Sequence, residues 1–258
     1  MKYLVLIRYL GTDFSGFQAQ PNRRTVQGEL TRAASECFGG PCAITGCSRT
    51  DSGVHAEAFC ATLEPLFDGA PVIPPDRLPR AIAQYLPQDL SMFFAKEAPL
   101  DFHPRYDILE KEYRYDICNT PLRDPFLAAR TWHYPSKISD SALSKMNRAA
   151  AAFVGRHDFA ALMAAGSTVS DTVRTISRCE CRRSGDIISV FVRGDGFLYN
   201  MVRIIVGTLI AVATGKIPPE EIPAILASGD RTLAGMTAPP EGLHLASLFY
   251  PEGILSNE

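Results

Sequence analysis

The chain has 258 residues, of which 46% are apolar and 21% are charged, and its formal net charge is −2. This composition is typical of a folded globular protein with one large or two ordinary domains, and it excludes a disordered or fibrous chain. The slight negative charge argues against a basic surface over the whole chain, as a general nucleic-acid-binding protein would carry.

The N-terminal run MKYLVLIRYLG predicts a first strand over about 2–9, because it is too short to cross a bilayer and Arg8 interrupts it. The apolar run MVRIIVGTLIAVATG contains Arg203 and is no better as a membrane span. The seven cysteines are odd in number and include no C-x-x-C pair, which indicates a reducing compartment. We therefore expect a cytoplasmic protein without a structural metal site.

The first half of the chain predicts six elements in the order β-α-β-β-α-β. Beyond the first strand these are a helix over 26–38, strands near 43–48 and 57–64, a short helix ending near Tyr85, and a strand over 91–97. This order is that of ferredoxin-like modules.

The second half predicts a looser repeat of the same order. Its elements are a strand over 105–118, a helix over 140–153 after the start signal Ser139-Asp140, strands over 173–183 and 187–194, helices over 199–214 and 219–228, and a strand over 244–250. We expect an α+β fold of two ferredoxin-like, RRM-like modules, residues 1–104 and 105–258. Their mainly antiparallel sheets are expected to flank a central active-site cleft.

The stretch GCSRTDSGVHA, residues 46–56, allows several interpretations. Its D-S-G triplet matches the aspartic proteases, but that chemistry needs two carboxylates that share a proton, and the triplet occurs once. Its serines and histidine lack the G-x-S-x-G spacing of a serine hydrolase. The stretch therefore predicts a loop between two strands, in which the glycines allow a sharp turn and Asp51 projects beside Arg49.

Arg203 and Tyr113 are further candidates for chemistry. Arg203 lies on a helix that is apolar over most of its circumference, and a buried guanidinium needs a carboxylate or phosphate partner. Asp51 is a candidate partner; the alternative is that Arg203 reaches solvent along a groove at Gly207. Tyr113 alternates with Tyr115 on an apolar strand face, which fits either a core residue or a stacking platform for a base.

Eight short motifs occur in order along the chain. They are YLGTDFSGFQAQ (9–20), TVQGEL (25–30), RTDSGVHA (49–56), FHPR (102–105), YRY (113–115), GRHDF (155–159), FLYNMVR (197–203) and EGLHL (241–245). Over nearly the full length they resemble the motifs of the tRNA pseudouridine synthases of the TruA family. Cys47 and Ser48 depart from that family, in which small residues are common at these positions.

The resemblance implies an enzyme that isomerises uridine to pseudouridine in the anticodon stem-loop of tRNA, as a homodimer and without a cofactor. It implies that Asp51 is the nucleophile and that Tyr113 stacks on the target uracil. Arg203 would pair with Asp51 and keep it ionised. Arg49 would fill the space left by the flipped base or contact a backbone phosphate.

Two further expectations concern the handling of the RNA. The second helix and the loop around Phe14–Phe17 are expected to close over the active site and exclude water. An arginine cluster is expected to follow the RNA backbone, unless it only covers a solvated strand face. It consists of Arg174, Arg178, Arg182, Arg183 and Arg193.

Two alternatives remain open at this point. One is a non-catalytic protein that binds structured RNA as a chaperone through two ferredoxin-like modules. The other is a hydrolase with a carboxylate nucleophile, which needs a second acidic group. Asp158 is the best candidate for that group, although a capping or turn role explains it more simply.

Overall fold

The computed structural model describes residues 1–166 and 169–255. Its contacts divide the chain into two compact units, namely residues 1–109 with the C-terminal residues from Leu245 onward, and residues 110–244. The expected division at 104/105 did not include this return of the C-terminus to the first unit. Two hydrogen bonds explain it: Leu109 N donates to Phe249 O at 2.8 Å, and Tyr250 Oη donates to Pro104 O.

The first unit contains an antiparallel sheet and two helices. Its elements are β1 (Tyr3–Tyr9), α1 (Val26–Phe38), β2 (Cys42–Gly46), β3 (His55–Pro65), α2 (Leu78–Ala83) and β4 (Leu90–Glu97). The strand order is β4-β1-β3, with β2 also paired to β3, and each of these pairs is antiparallel. This is the order of a ferredoxin-like module, as the sequence predicts.

Helix α1 has the bounds that its sequence pattern predicts. The Thr25 hydroxyl accepts a hydrogen bond from Gly28 N at its start, and Gly39 ends it in the left-handed region with φ 78°. The buried side chains recur at helical spacing and pack toward β2 and β3. They are Val26, Leu30, Ala33, Ala34 and Phe38.

The second unit also pairs an antiparallel sheet with helices. Its elements are β5 (Glu110–Cys118), β6 (Trp132–His133), α3 (Asp140–Ala151), β7 (Gly155–Asp158), β8 (Val173–Ser184), β9 (Ile187–Gly194), α4 (Met201–Ala213) and α5 (Ile222–Ser228). The strand order is β5-β9-β8-β7, all antiparallel, while β6 pairs with β5 in parallel. The last strand of the chain is β10 (Leu243–Phe249). The fold is therefore α+β with mainly antiparallel pairing, as predicted.

Several element bounds differ from the prediction; helix α5, for example, begins at Ile222 and not at 219, because residues 219–221 form a separate 3-10 turn. Strand β5 begins at Glu110 and not at 105, because the residues before it form a turn in which His103 N donates to Asp107 Oδ2 at 2.8 Å. Strands β6 and β7 were not predicted, since two and four residues are too few to show a period. Helix α4 begins at Met201 and not at 199, because Asn200 has φ 58°.

Helices α3 and α4 pack against each other in the core of the second unit, and α3 also packs on β8. The start signal of α3 is confirmed, since Ser139 Oγ accepts from Ala142 N at 3.2 Å. Within the described ranges, no helix is long and apolar enough to cross a membrane.

Candidate active site

Asp51 lies in the loop that joins β2 to β3, which we call the Asp51 loop (residues 47–54). The Asp51 side chain is half-buried, whereas Arg49 is exposed. Gly53 has φ 80°, and Val54 N donates to Asp51 O at 3.2 Å, which closes a tight turn around Asp51. The sequence expectation of a sharp Gly-assisted turn carrying Arg49 and Asp51 is thus observed.

Residues 11–17, which we call the clamp segment, are hydrogen-bonded to the Asp51 loop. Phe17 N donates to Thr50 O at 3.1 Å, and Gly53 N donates to Phe14 O at 3.3 Å. Ser52 Oγ also donates to Phe14 O, at 3.2 Å. These bonds fix the backbone on both sides of Asp51.

Thr50, the residue before Asp51, is held at two atoms. Its carbonyl accepts from the clamp segment, and its hydroxyl is 2.7 Å from the hydroxyl of Tyr9. Tyr9 and Thr50 are 4% and 6% exposed, so this hydrogen bond is shielded from competing water. Tyr9 therefore acts on the position of Asp51 through one neighbouring residue.

Two glycines of the clamp segment permit its close approach to the Asp51 loop. A Cβ on Gly11 would lie 1.9 Å from Val54 O, and a Cβ on Gly16 would lie 2.7 Å from Thr50 O. Gly16 also has φ 85°, a conformation that disfavours every other residue. The G-T-D-F-S-G motif is thus explained by backbone packing against the Asp51 loop.

The expectation that the loop around Phe14–Phe17 forms a lid is wrong for its aromatic rings. Phe14 and Phe17 are 2% and 3% exposed. Phe17 stacks on Phe59 with ring centroids 4.4 Å apart, and the Arg24 guanidinium lies 4.2 Å from the centre of the Phe14 ring. The two rings support the Asp51 loop from the core.

His55 follows the Asp51 loop and has a role that the sequence did not reveal. It is 1% exposed, and its Nδ1 accepts a hydrogen bond from Gly11 N at 2.9 Å. The ring therefore anchors the start of the clamp segment and carries no proton on Nδ1. The only sequence signal was its place in the R-T-D-S-G-V-H-A motif.

Tyr113 lies on β5 opposite Val192 of β9. Its ring is 7% exposed and meets Phe197 edge to face, with centroids 5.1 Å apart at 88°. Tyr113 thus shares the buried face of β5 with Tyr115, as the strand alternation predicts.

Arg203 lies in the first turn of α4, where neutral acceptors orient its guanidinium. Its Nε donates to Ala238 O and its Nη1 donates to Asn200 Oδ1, both at 2.6 Å. Ala238 N in turn donates to Arg203 O at 3.1 Å. These acceptors fix the direction of the side chain.

The proposed solvent path for Arg203 along Gly207 is not present. A Cβ on Gly207 would lie 1.7 Å from Met236 O, because the backbone of residues 235–238 packs directly on this part of α4. Gly235 N donates to Thr208 Oγ1 at 2.9 Å, which holds the packed segment in place.

All five members of the arginine cluster lie within 4.0 Å of a carboxylate, and the partners of Arg174 and Arg183 are Asp171 and Asp140. Arg178 pairs with Glu112 at 2.7 Å and also with Glu180, Arg182 pairs with Glu180 at 2.7 Å, and Arg193 pairs with Glu110 at 3.2 Å. These contacts agree with the solvated strand face that was the alternative to a phosphate track.

Asp158, Cys181 and Cys60 do not resemble catalytic groups. Asp158 accepts from Ala160 N and Thr172 Oγ1, and these hydrogen bonds, that of Thr172 first, lower the pKa of its carboxyl. It therefore has the turn role expected of it. Burial raises the pKa of the Cys181 thiol to about 12, and it also raises that of Cys60, which disfavours reactive thiolates there.

Known proteins are similar to this chain over almost its entire length. A family model described as tRNA pseudouridine synthase matches residues 5–107 and 149–251. The protein named tRNA pseudouridine synthase A of Ruminiclostridium cellulolyticum is 43% identical over 250 residues, which cover 96% of this chain and 99% of that protein. Its namesake in Acetivibrio thermocellus is 42% identical over 246 residues, or 95% and 98% of the two chains.

A third relative with the same name, from Halalkalibacterium halodurans, is 43% identical over 92% of this chain and 88% of its own. Among solved structures, a chain of a Cbf5-Nop10-Gar1 complex covers 95% of this chain and 59% of its own, with a TM-score of 0.36 and 11% identity, which is too weak a similarity to support an argument. The matched ranges include Arg49, Asp51 and Arg203, whereas Tyr113 lies between them.

Proposed function

The chain belongs to the tRNA pseudouridine synthase family, and we propose that it converts uridines in the anticodon stem-loop of tRNA into pseudouridine with Asp51 as the nucleophile. This family membership makes the protein an isomerase. The observation that supports the site is the Asp51 loop itself, whose backbone is held on both sides of the carboxylate by the clamp segment. A nucleophile gains from such fixation, since reaction rates depend steeply on the placement of the attacking atom.

The proposed reaction breaks the N1–C1′ bond of uridine and forms a C5–C1′ bond with the same uracil. The proton on C5 is lost and N1 gains one, so the atoms balance without an oxidant, a reductant or a cofactor. Asp51 assists the cleavage by attacking the sugar or the base, or by removing a sugar proton; all three use an ionised carboxylate.

The target base must leave the helical stack to meet Asp51, at a cost of a few kcal/mol. Arg49 is exposed beside Asp51 and is proposed to fill the vacated space or to contact a phosphate. Tyr113 is proposed to stack on the extruded uracil, and this stacking offsets about 1–3 kcal/mol of the cost of extruding the base. Arg203 is proposed to supply the positive charge that keeps the catalytic carboxylate ionised.

The test is to incubate the protein with an unmodified tRNA transcript and to map pseudouridine by chemical adduct sequencing. We expect product in the lower anticodon stem or adjoining loop with the native chain, and none with Asp51→Ala. Asp13→Ala, which removes an exposed carboxylate from the clamp segment, is the matched control and should retain activity.

The same experiment separates the enzyme from the RNA chaperone. A chaperone would bind the transcript tightly, yield no pseudouridine, and bind equally well with Asp51→Ala. A carboxylate-dependent hydrolase would instead leave abasic sites in the RNA.

We further propose a cytoplasmic homodimer. The reducing compartment is supported by all seven cysteines, which are free thiols. The homodimer rests on the family resemblance, and analytical ultracentrifugation of the free protein tests it directly. A monomer at micromolar concentration would contradict it.

A further inference from the structure

Residues 121–130 connect β5 to β6 and expose two large apolar side chains. We call this segment the arm. Phe126 is 87% exposed, more than any other large apolar side chain in the described residues, and Leu122 is 82% exposed. Single exposed apolar residues need no explanation, but two on one short segment indicate a contact surface.

The arm is internally ordered despite this exposure. Phe126 N donates to Asp124 Oδ1 at 2.9 Å, and Leu127 N donates to Asp124 O at 3.1 Å, which sets one turn. Arg130 N donates to Leu127 O at 2.9 Å, which sets the next turn. Phe126 is therefore presented on a preorganised backbone, so that little conformational entropy is lost when it makes a contact.

Both ends of the arm are also anchored to the second unit. Thr120 O lies 2.9 Å from His133 Nε2, and Arg130 O lies 2.9 Å from His244 Nε2. Thr131 Oγ1 donates to Leu127 O at 2.9 Å. The arm is thus a fixed projection from the sheet.

The charges of the arm favour an anionic partner. Arg123 and Arg130 are exposed, and neither guanidinium has a carboxylate partner among the residues that the structure describes. The one carboxylate of the arm, Asp124, accepts a backbone hydrogen bond. In contrast, Arg178 and Arg193 of the arginine cluster are paired with glutamates.

We propose that the arm is a tRNA contact, in which Phe126 stacks on an unpaired base and Arg123 and Arg130 bind backbone phosphates. The inference rests on the proposed function and extends it to a surface outside the residues assigned to catalysis. Base stacking on an exposed aromatic ring beside arginines is the usual composition of a single-strand contact.

A second copy of this chain fits the arm less well than RNA does. A stable protein interface covers roughly 800 Å² on each partner, and the arm alone, with two exposed apolar side chains, is a small surface for that purpose. Arg123 and Asp124 of the arm line a cavity of about 280 Å³ together with Glu241. The two carboxylates disfavour a phosphate inside this cavity, so we place the RNA contact of Arg123 at its solvent-exposed side.

The test measures the affinity for an unmodified tRNA transcript in an Asp51→Ala background, in which no substrate is converted. We expect Phe126→Ala to weaken the affinity about tenfold, and Phe126→Trp to preserve it. Phe126→Leu should resemble Phe126→Ala, because leucine keeps the apolar area and loses the stacking face. Leu100→Ala, at an 84% exposed position of the first unit, is the matched control and should have no effect.

Arg123→Gln and Arg130→Gln should each flatten the salt dependence of binding by about one unit of slope. Unchanged affinity in Phe126→Ala, with pseudouridine formation by the native chain intact, would overturn the arm inference and leave the proposed function standing. A change of sedimentation in Phe126→Ala that Phe126→Leu does not show would assign the arm to a second copy. A native chain that neither binds nor modifies tRNA would overturn both.

Discussion

Thr50 is the residue through which the first unit controls Asp51. Its hydroxyl and its carbonyl are each hydrogen-bonded to a different part of the unit, and it directly precedes the proposed nucleophile. A small movement of Thr50 therefore changes the position of the carboxylate without removing any group that reacts.

We expect Tyr9→Phe to lower kcat about three- to tenfold, since one buried hydrogen bond contributes about 0.5–1.5 kcal/mol. The KM for tRNA should change little, because the Tyr9 side chain is only 4% exposed. Thr50→Val should have a similar effect, and the double variant should be no worse than either single variant. Fully additive losses of kcat in this double-mutant cycle would show that the two hydroxyls act independently.

Gly16→Ala should reduce both stability and activity. The left-handed backbone alone costs about 1–2 kcal/mol with a side chain, and the new Cβ would also press on Thr50 O. Gly69→Ala provides the matched control, because Gly69 has φ 76° but no atom within 4 Å of its Cβ position. Urea unfolding should show a larger loss in the free energy of unfolding for Gly16→Ala than for Gly69→Ala. Equal losses in the two variants would mean that the contact between the new Cβ and Thr50 O is relieved without cost.

At the scale of elements, α1 begins where the clamp segment ends. Val26 N and Gln27 N donate to Gly16 O and Phe17 O at 3.2 Å and 2.9 Å, so the first turn of the helix holds the clamp segment. Helix α3, in the second unit, has the same type of cap at Ser139.

Thr25→Ala and Ser139→Ala should therefore separate stability from catalysis. Each loses one capping hydrogen bond and about 1 kcal/mol of the free energy of unfolding. Only Thr25→Ala should also lower kcat, because the first turn of α1 holds the clamp segment. Thermal melts measure the loss of stability, and pseudouridine assays measure the loss of activity. An equal loss of activity in the two variants would assign the lower activity to reduced stability alone.

At the scale of the whole molecule, ion pairs and hydrogen bonds lower the pKa of several carboxyls. Arg24 binds Asp89 through both terminal nitrogens, at 2.7 and 2.8 Å, and this hydrogen bonding is the largest cause of the lowered pKa of Asp89. The pKa of Glu180 is lowered chiefly by its hydrogen bond with Arg178. The folded chain thus binds these protons less readily than the unfolded chain does.

Stability should accordingly fall as the solution is acidified. The contribution of Asp89 is complete above its unfolded pKa and is lost as the pH falls from about 5 through the lowered folded pKa. Asp89→Asn should cost about 0.5–1 kcal/mol at neutral pH and flatten this acid dependence. Asp76→Asn, which changes an exposed carboxylate, is the control. Urea titrations from pH 7 to pH 3 give the free energy of unfolding of each chain as a function of pH. Parallel curves for the native chain and Asp89→Asn would refute a contribution of Asp89 to the acid dependence.

Much of the fold was predictable from local patterns. Helix α1 shows its period, its Thr25 cap and its Gly39 stop within a few neighbouring residues, and its bounds were predicted without error. The antiparallel hairpin of β8 and β9 followed from two long alternating runs joined by Gly185-Asp186. Strand β7 was missed because it is a short edge strand, defined by its partner and not by its own pattern.

The sequence by itself determined the ferredoxin-like order of the first unit, the family, and the short set of residues on which a catalytic proposal rests, because each is expressed in local motifs. Only the tertiary structure decided that Phe14 and Phe17 support the Asp51 loop from the core, that Gly11 and Gly16 permit the close approach of its backbone, and that Arg178 is paired with Glu112. These roles depend on contacts between residues more than thirty positions apart, and local sequence carries no record of which distant atoms will meet.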